Sequence, residues 1–292
     1  MGSLSPISTE TAYDVRQQCR FGSLQSPTAG WAPGYIQANL LVLPSKAAKD
    51  FSDLCARNPV PCPLLAYTPI GNSKVVIASS NNAGLGGKKK IFTQDFDIRT
   101  DIPKYNVYRD GRLVDTKTDI LSEWTEDHVA FLIGCSFSFE DALSKAGLTP
   151  RHWEDSCNVT MFNTTRRLNP AGIFTEGTYV VSMRPYLPEQ IEEVRNITRS
   201  FMGMHGEPIA WGWKACEELG IKDVQAPDFG QPVKFKEGEV PVFWGCGVTP
   251  QQVVMDAKSK IKGNVMAHAP GHMMVLDLKE SDLFCGTEMA LE

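Results

Sequence analysis

Two stretches of the sequence, Phe131-Leu-Ile-Gly-Cys-Ser-Phe-Ser138 and Phe243-Trp-Gly-Cys-Gly-Val-Thr249, share one pattern. Each reads as an apolar strand, a Gly-Cys pair, a short turn and a capped helix, and the two Gly-Cys pairs are 111 residues apart. Turns that lead from strands into helices bind anions, because the free N–H groups and the helix dipole favour negative charge. The repeat therefore predicts two turns that hold carboxylates or a developing oxyanion. The alternative is a pair of ordinary turns whose cysteines are small buried residues.

The elements around these turns are indicated by apolar periodicity and by turn residues. Residues 36–43 and 178–183 are apolar runs of strand length, and Pro188 opens an amphipathic helix. Asp110-Gly111 is typical of the tip of a β hairpin, here over residues 105–117. Ser138 and Thr249 are predicted to cap the helices that follow the two turns. The alternation of strands and helices predicts an α/β layer with a smaller α+β part.

Length, charge and cysteine spacing exclude several classes of protein. The 292 residues carry a net charge of −5, which disfavours nucleic-acid binding by bulk charge. No run of apolar residues is long enough to span a membrane, and residues 1–11 lack the pattern of a secretory signal. Eight cysteines without a Cys-x-x-Cys pair indicate neither a disulfide framework nor a structural zinc site. We expect a cytoplasmic globular protein without nucleic-acid or membrane partners, and a homo-oligomer is left open.

A second feature is Ala267-His-Ala-Pro-Gly-His272, in which two histidines flank a Pro-Gly turn. Histidine titrates near neutral pH, so His268 and His272 are candidates for a general acid or base. The alternative is a structural role for each. Pro270 and Gly271 break any helix, so the histidines do not form a helical metal pair, and no third acidic ligand is apparent. We expect catalysis without a metal or a cofactor.

Three further segments carry polar groups of interest. Arg184 ends an apolar strand and could bind a substrate carboxylate or form a structural ion pair. His205 follows the helix opened by Pro188 and is a candidate to close a site. Residues 81–90 resemble a phosphate loop only superficially, because the Gly-x4-Gly-Lys-Ser/Thr spacing is absent. We interpret this segment as a solvated loop.

Several motifs occur together along nearly the whole chain, from about residue 20 to residue 277. They are Pro27-Thr-Ala-Gly-Trp-Ala-Pro-Gly-Tyr-Ile-Gln-Ala-Asn39, Arg57-Asn-Pro59, Pro61-Cys-Pro-Leu64, Arg99-Thr-Asp-Ile-Pro103, Val181-Ser-Met-Arg-Pro185, the two Gly-Cys turns and His268-Ala-Pro-Gly-His272. This combination resembles the D-glutamate cyclase family, whose members are also called hydro-lyases. The resemblance implies ring closure of D-glutamate to 5-oxo-D-proline with loss of water.

The resemblance also implies a fold and a set of site residues. The fold would be α/β, with a three-layer α/β domain and a smaller two-layer α+β domain. We assign residues 1–100 and 190–292 to the first domain and residues 101–189 to the second. The predicted catalytic residues are Cys135, Cys246, His268 and His272. The predicted substrate-binding residues are Thr28, Gly30, Tyr35, Gln37, Asn39, Gly134, Asn158, Arg184, His205, Trp211 and Gly245.

The chain departs from the family pattern at several positions. Phe162, Thr165 and Ala210 stand where the family usually has more polar residues, and the neighbouring Trp211 and Trp213 are bulky. If these positions line the site, they predict a bulkier and more apolar substrate than a small zwitterion.

Three functions are therefore weighed. The first is a lyase-type cyclase that closes a ring in, or removes water from, a carboxylate-bearing small molecule. The second is a biosynthetic cyclase that shapes an apolar carbon skeleton for dehydration or a pericyclic, Diels–Alder-type closure. Such a cyclase needs a shaped pocket more than a nucleophile. The third is a non-catalytic small-acid binding protein.

Overall fold

The computed structural model describes residues 10–80 and 90–283, where the chain forms two β-sheets and several helices. The segment 81–90, interpreted above as a solvated loop, lies outside the described residues except for Lys90. The strands are β1 Tyr35–Pro44, β2 Leu64–Tyr67, β3 Ile77–Ala78, β4 Tyr105–Arg109, β5 Arg112–Lys117, β6 His128–Gly134, β7 Thr160–Arg167, β8 Thr178–Tyr186, β9 Ala210–Trp211, β10 Val240–Gly245, β11 Val265–His268 and β12 Met274–Lys279. The α-helices are α1 Ala12–Arg20, α2 Ser45–Arg57, α3 Phe137–Lys145, α4 Arg151–Glu154, α5 Ile191–Arg199, α6 Trp213–Leu219, α7 Val248–Ala257 and α8 Glu280–Leu283.

Every pairing between the described strands is antiparallel. The larger sheet has the order β3-β2-β6-β1-β11-β4-β5, with β12 also paired to β1, and the smaller sheet has the order β7-β8-β10-β9. The predicted hairpin is confirmed as β4 and β5. Its tip residues Asp110 and Gly111 have φ angles of 49° and 75°, which suit the tight turns that match strand twist. The mixed α/β character predicted from the sequence is confirmed.

Strand β1 is the centre of the larger sheet. One edge pairs with β6 from Ala38 to Pro44. The other edge pairs first with β12, where Ala38 is opposite Met274, and then with β11, where Leu41 is opposite Ala267. The chain between β11 and β12 therefore turns beside the middle of β1. This pairing places the His268–His272 motif against the central strand.

Both faces of β1 are buried, which explains why its sequence is an apolar run rather than an alternation. Leu40 and Val42 belong to one apolar cluster, together with Phe139 of α3 and Trp244 of β10. Leu41 and Leu43 belong to another cluster, on which the apolar sides of α2 and α7 pack. Each fully buried Leu or Val contributes about 1.5–3 kcal/mol to stability, so these clusters fix the positions of α3 and α7.

The predicted domain boundaries do not coincide with the division between the sheets. Strands β4, β5 and β6 fall within residues 101–189, yet they pair into the larger sheet. Strands β9 and β10 fall within residues 190–292, yet they belong to the smaller sheet, where β10 pairs with β8 and β9 pairs with β10. The division of the chain into two domains stays a prediction. Among the described helices, none has both the length and the apolar composition needed to cross a membrane.

Candidate active site between the two Gly-Cys turns

The two Gly-Cys turns are built in the same way in the two sheets. The last strand residue of each, Gly134 or Gly245, pairs with the neighbouring antiparallel strand. The hydroxyl of Ser138 then lies 3.2 Å from the main-chain N and 3.4 Å from the main-chain O of Gln37. In the second turn, the hydroxyl of Thr249 lies 2.9 Å and 3.0 Å from the same two atoms of Val180. The repeat seen in the sequence is therefore a repeat of local structure.

The predicted caps of α3 and α7 are wrong. The helices begin at Phe137 and Val248, so Ser138 and Thr249 lie inside them rather than at their N-caps. Both hydroxyls bond to the adjacent strand instead of to their own helix, because that strand presents a main-chain N–H and C=O at the right distance. The N-cap residues are Ser136 and Gly247, and neither makes a side-chain cap.

Both cysteines of the turns are buried thiols. Burial raises the pKa of Cys246 to about 11, and it raises the pKa of Cys135 further above its ordinary value. Each thiol accepts a main-chain N–H at the start of its helix, from Phe137 or Val248. At neutral pH neither cysteine is a thiolate, so neither is suited to nucleophilic attack.

Both turns open into one cavity of about 410 Å³. Of the predicted site residues, five line this cavity: Asn39, Cys135, Asn158, Cys246 and His268. The apolar part of the lining consists mainly of Phe137, Val159, Met161, Phe229, Val248, Met255 and Met273. No Arg, Lys, Asp or Glu is among the described residues that line it. The cavity therefore offers dipoles, hydrogen bonds and apolar surface, but no formal charge.

Asn39 connects β1 to the first turn from inside the cavity. Its side-chain amide Nδ2 donates to the main-chain O of Gly134 at 2.9 Å and lies 3.4 Å from that of Ile133. The side chain is buried, so these hydrogen bonds fix its orientation. Asn39 thus holds the last residues of β6 at the cavity wall.

His268 ends β11 and fills the gap where β11 stops and β12 begins along β1. Its ring Nδ1 lies 3.2 Å from the main-chain N and 3.1 Å from the main-chain O of Leu40. Burial lowers the pKa of His268 to about 4, so the ring is neutral at neutral pH. Because Nδ1 faces the strand and the ring lines the cavity, Nε2 is the nitrogen left to meet a ligand.

His272 does not line the cavity, contrary to the expectation that either histidine could serve there. Its Nδ1 lies 2.9 Å from the main-chain O of Pro270, and its Nε2 is buried without a hydrogen-bond partner in the described part of the chain. Thr28 stabilises the Pro270-Gly271 turn through two hydrogen bonds. Its main-chain N donates to Gly271 O at 2.8 Å, and its hydroxyl accepts from Met273 N at 2.9 Å.

Thr28 and Gln37 support the turn rather than reach the cavity. Gln37 Nε2 donates to the main-chain O of Thr28 at 3.0 Å, and the Thr28 hydroxyl donates to Gln37 Oε1 at 2.8 Å. Gly30 and Tyr35 lie in and after the same loop, and neither lines the cavity. Sequence analysis placed all four in the substrate-binding set. The structure places them outside the cavity lining, with Thr28 and Gln37 fixing the turn that carries His268.

Arg184 forms a structural ion pair with Glu140, which was the alternative role considered for it from the sequence. Its side chain is 0% exposed and is bonded to the Glu140 carboxylate through Nε at 3.0 Å and through Nη2. Burial alone would raise the pKa of Glu140, but the charges of His152 and Arg184 outweigh it and hold that pKa at about 2. The guanidinium does not line the cavity, so it cannot bind a substrate carboxylate there.

His205 and Trp211 line a second, larger cavity of about 870 Å³ on the other side of the first turn. His205 Nδ1 donates to the main-chain O of Val60 at 2.8 Å, and burial lowers its pKa to about 4. Trp211 stacks under Arg195 at the rim, 5.0 Å from the guanidinium. These two predicted residues are therefore not part of the cavity that holds His268. Gly134 lines neither cavity, and the position requires glycine because a Cβ atom there would lie 1.8 Å from Gly203 O.

The residues that depart from the family pattern also lie elsewhere. Phe162 packs in the smaller sheet against Phe243, with ring centroids 6.5 Å apart, and Thr165 packs against Gly220. Ala210 begins β9 at the sheet edge. None of the three lines either cavity, so the expectation that they reshape the site is wrong. Phe162 is buried, Thr165 is exposed on β7, and Ala210 is half-buried on the edge strand β9. The local sequence does not encode these placements.

The sequence analysis did not predict several residues that line the cavity. Ser136 lies between Cys135 and the start of α3, and its place inside the repeated motif was the available signal. Tyr108 enters from the hairpin, and its hydroxyl accepts from Gln251 Nε2 at 3.0 Å. Gln251 and Gln252 come from α7. No local pattern marks Tyr108, because its position depends on the pairing of β4 with β11.

The described residues do not assemble a metal site. Within residues 10–80 and 90–283, no group of three or more His, Cys, Asp and Glu side chains could hold a metal ion. Catalysis without a metal stays a prediction.

Comparison with known proteins connects this geometry to a family. Residues 129–277, which include both Gly-Cys turns and His268, match the family model described as D-glutamate cyclase. A protein of Schizosaccharomyces pombe with the name "Putative hydro-lyase" is 48% identical over 265 residues, which cover 91% of this chain and 83% of that protein. A Bordetella petrii protein that is also named a hydro-lyase is 46% identical over 271 residues, which cover 93% and 95%.

A Rubrobacter xylanophilus protein, again named a hydro-lyase, is 45% identical over 93% of this chain and 97% of its own. Among solved structures, a nitrogen repressor-like protein from Methanococcus jannaschii matches with a TM-score of 0.37 and 9% identity, over 94% of this chain and 97% of that one. That likeness is too low to support an argument. The family match and the alignments along nearly the full length show that this chain belongs to the D-glutamate cyclase family.

Proposed function

We propose that this family member is a lyase that closes a ring in, or eliminates water from, a carboxylate-bearing small molecule bound in the 410 Å³ cavity. One observation carries the proposal: the two repeated turns and His268 meet at a single cavity, although they lie far apart in the sequence. Concave pockets lined by apolar groups with a few convergent polar groups are the usual places for small-molecule chemistry. The names of the relatives agree with this class of reaction.

In the ring-closing form of the reaction, an amine of the substrate attacks a carboxyl group of the same molecule. The neutral ring of His268 takes a proton from the ammonium group, which frees the lone pair that forms the new C–N bond. The tetrahedral intermediate then loses one carboxyl oxygen, which leaves as water after it receives that proton and a second one from the amine. Holding the two groups in contact supplies much of the rate enhancement.

Main-chain N–H groups at the helix starts are suited to stabilise the oxyanion of this intermediate. The N–H group of Cys246 is already bonded, because it donates to Val180 O at 3.1 Å. The N–H groups of Ser136 and Gly247 make no hydrogen bond to the residues the structure describes. We therefore assign the oxyanion contacts to these two groups.

The second candidate function, shaping of an apolar skeleton for dehydration or a Diels–Alder-type closure, is favoured by a different observation. The described lining has no charged side chain, and aromatic, Met and Val side chains form much of it. Such a pocket folds an apolar chain by shape, with Asn39, Asn158 and Tyr108 as hydrogen-bonding groups. This role would connect the protein to secondary metabolite biosynthesis.

Turnover assays separate these candidates from a non-catalytic small-acid binding protein. The chain is incubated with D-glutamate, with hydroxy acids that can lose water, and with polyene carboxylates, and the products are read by mass spectrometry. Loss of water from D-glutamate or from a hydroxy acid supports the lyase, and a dehydrated product or an isomer of unchanged mass from the polyene carboxylates supports the second candidate. Binding without any product supports the binding protein.

The division into layered domains and the cellular location are also part of this proposal. A three-layer α/β domain is supported by the apolar clusters on both faces of the larger sheet. We keep the smaller two-layer α+β domain, the cytoplasmic location and a small-molecule substrate as the principal partner as parts of this proposal.

A further inference from the structure

A buried guanidinium lies directly behind the first turn. Arg184 Nη2 donates to the hydroxyl oxygen of Ser136 at 3.1 Å, and Nη1 donates to the hydroxyl oxygen of Ser182 at 3.0 Å. The guanidinium lies over the adjacent rings of Phe139 and Trp244, 5.2 Å and 5.1 Å from their centroids. The arginine is thus immobilised, with one serine on each of its two terminal nitrogens.

The charge of Arg184 is balanced within the core. Glu140 accepts from the guanidinium, from Trp153 Nε1 at 2.8 Å and from His152 Nε2 at 3.2 Å. A buried ion pair with this many hydrogen bonds is strongly destabilised when one partner is removed. The pair therefore attracts no anion by net charge, but it can polarise the groups that accept its N–H bonds.

The two serines differ in what lies on their other side. Ser136 lines the cavity, whereas Ser182 is in the middle of β8, is fully buried and does not line it. Since the oxygen of Ser136 accepts from Arg184, its own O–H is left to donate. That O–H has no acceptor among the residues the structure describes. A hydroxyl that accepts a charge-assisted hydrogen bond is a stronger donor through its own proton.

We propose that the Ser136 hydroxyl donates a hydrogen bond to the substrate oxygen on which negative charge develops, and that Arg184 and Glu140 are positioning residues that polarise it. The oxygen is that of the attacked carboxyl group in ring closure, or that of the departing hydroxyl in dehydration. This inference rests on the proposed function of the cavity. Ser136 thereby acts beside its own main-chain N–H, so one residue presents two donors to one oxygen.

The first test replaces each serine with cysteine and needs no substrate. Ser136→Cys and Ser182→Cys are treated in the folded state with iodoacetamide over a range of pH, and the modified residue is identified by peptide fragmentation. We expect the thiol introduced by Ser136→Cys to be labelled, with a pKa at least one unit below the ordinary value of about 8.5. One unit corresponds to about tenfold more thiolate at pH 7. The thiol introduced by Ser182→Cys should be labelled only after unfolding.

Labelling of both thiols only after unfolding, or a thiol pKa at or above 8.5 at position 136, would overturn the inference. The wild-type chain, treated in the same way, measures any labelling of the native Cys135, which is next to the new thiol. Because the labelling requires no turnover, a cavity that proves non-catalytic and a hydroxyl that does not face the cavity give different results.

A second pair of variants covers the case in which the cysteines do not fold. Ser136→Ala and Ser182→Ala each remove one acceptor from Arg184. Ser136 lines the cavity, where water can replace the lost acceptor, whereas Ser182 is fully buried and does not line it. We expect Ser182→Ala to lower the melting temperature by several degrees more than Ser136→Ala. Equal losses would show that Ser136 is sealed in the core like Ser182, and the inference would fail.

Discussion

The side-chain amide of Asn39 occupies the space that a Cβ atom would need at Gly247, since a Cβ built there would lie 2.0 Å from Nδ2. The same Nδ2 donates to Gly134 O in the other turn. One side chain of the central strand therefore contacts both turns, which belong to different sheets. This contact explains the glycine that follows Cys246, where the first turn has Ser136 instead.

The first prediction concerns this contact. Gly247 has a φ angle of −65°, so alanine would suffer no backbone strain there, and its cost would come from the clash with Asn39. We expect Gly247→Ala to lower the free energy of unfolding by about 2 kcal/mol, in the range for overpacked sites. Urea unfolding of Gly247→Ala, Asn39→Ala and the double variant measures the coupling between the two positions.

The double variant should lose less than the sum of the single losses, by about 1 kcal/mol or more, because removing the amide makes room for the methyl group. Strictly additive losses would mean that the clash is relieved elsewhere and that Asn39 does not join the turns.

The second prediction concerns stability at acid pH. Burial lowers the pKa of His268 and of His205 to about 4, from 6.5 in the unfolded chain. A lowered pKa means that the unfolded state takes up the proton first. The stabilisation is therefore complete above pH 6.5 and is lost as the pH falls towards 4. Each histidine should account for a loss of about 2 kcal/mol at pH 5.

Urea unfolding at pH 7.5 and pH 5 measures this loss, and His268→Gln serves as the variant that cannot take up a proton. The free energy of unfolding of His268→Gln should fall by about 2 kcal/mol less than that of the wild type between these pH values. An unchanged pH dependence would show that His268 is not buried in its neutral form.

The third prediction concerns the substrate. D-glutamate carries an ammonium group and two carboxylates, and the described cavity lining offers no charged side chain to pair with them. An unpaired buried charge costs several kcal/mol, so D-glutamate should bind poorly and be a poor substrate. A monoanion with an apolar body, such as cyclohexanecarboxylate, should bind at least tenfold more tightly by calorimetry. Tight binding and efficient conversion of D-glutamate to 5-oxoproline would reverse this conclusion.

The sequence was most informative where the relevant contacts are local. The hairpin tip at Asp110-Gly111 and the two Gly-Cys turns are encoded within a few residues each, and the structure has them where they were predicted. The helix caps failed because Ser138 and Thr249 found partners on strands that are distant in sequence.

The same limit explains the site residues that were misplaced. Arg184 was judged from its place at the end of a strand, but its partner Glu140 is 44 residues away and fixes it in the core. His205 was assigned to the site because it follows the helix opened by Pro188, and Trp211 because it is bulky and adjoins Ala210. The order of the strands in the sheets places His205 and Trp211 at a different cavity, and short sequence patterns do not encode that order. Tyr108 was missed for the converse reason, since only strand pairing brings it to the cavity.

The central claim is that chemistry takes place in the cavity of His268 and not in the larger cavity of Trp211. The most direct measurement is mass-spectrometric detection of product from a panel of carboxylate-bearing molecules, with wild type, His268→Gln, His272→Gln and Trp211→Ala compared at equal concentration. We predict that His268→Gln loses at least a hundredfold in rate, as expected for a general base, while His272→Gln and Trp211→Ala stay within a few-fold of wild type. Full activity of His268→Gln, or a loss confined to Trp211→Ala, would contradict the account.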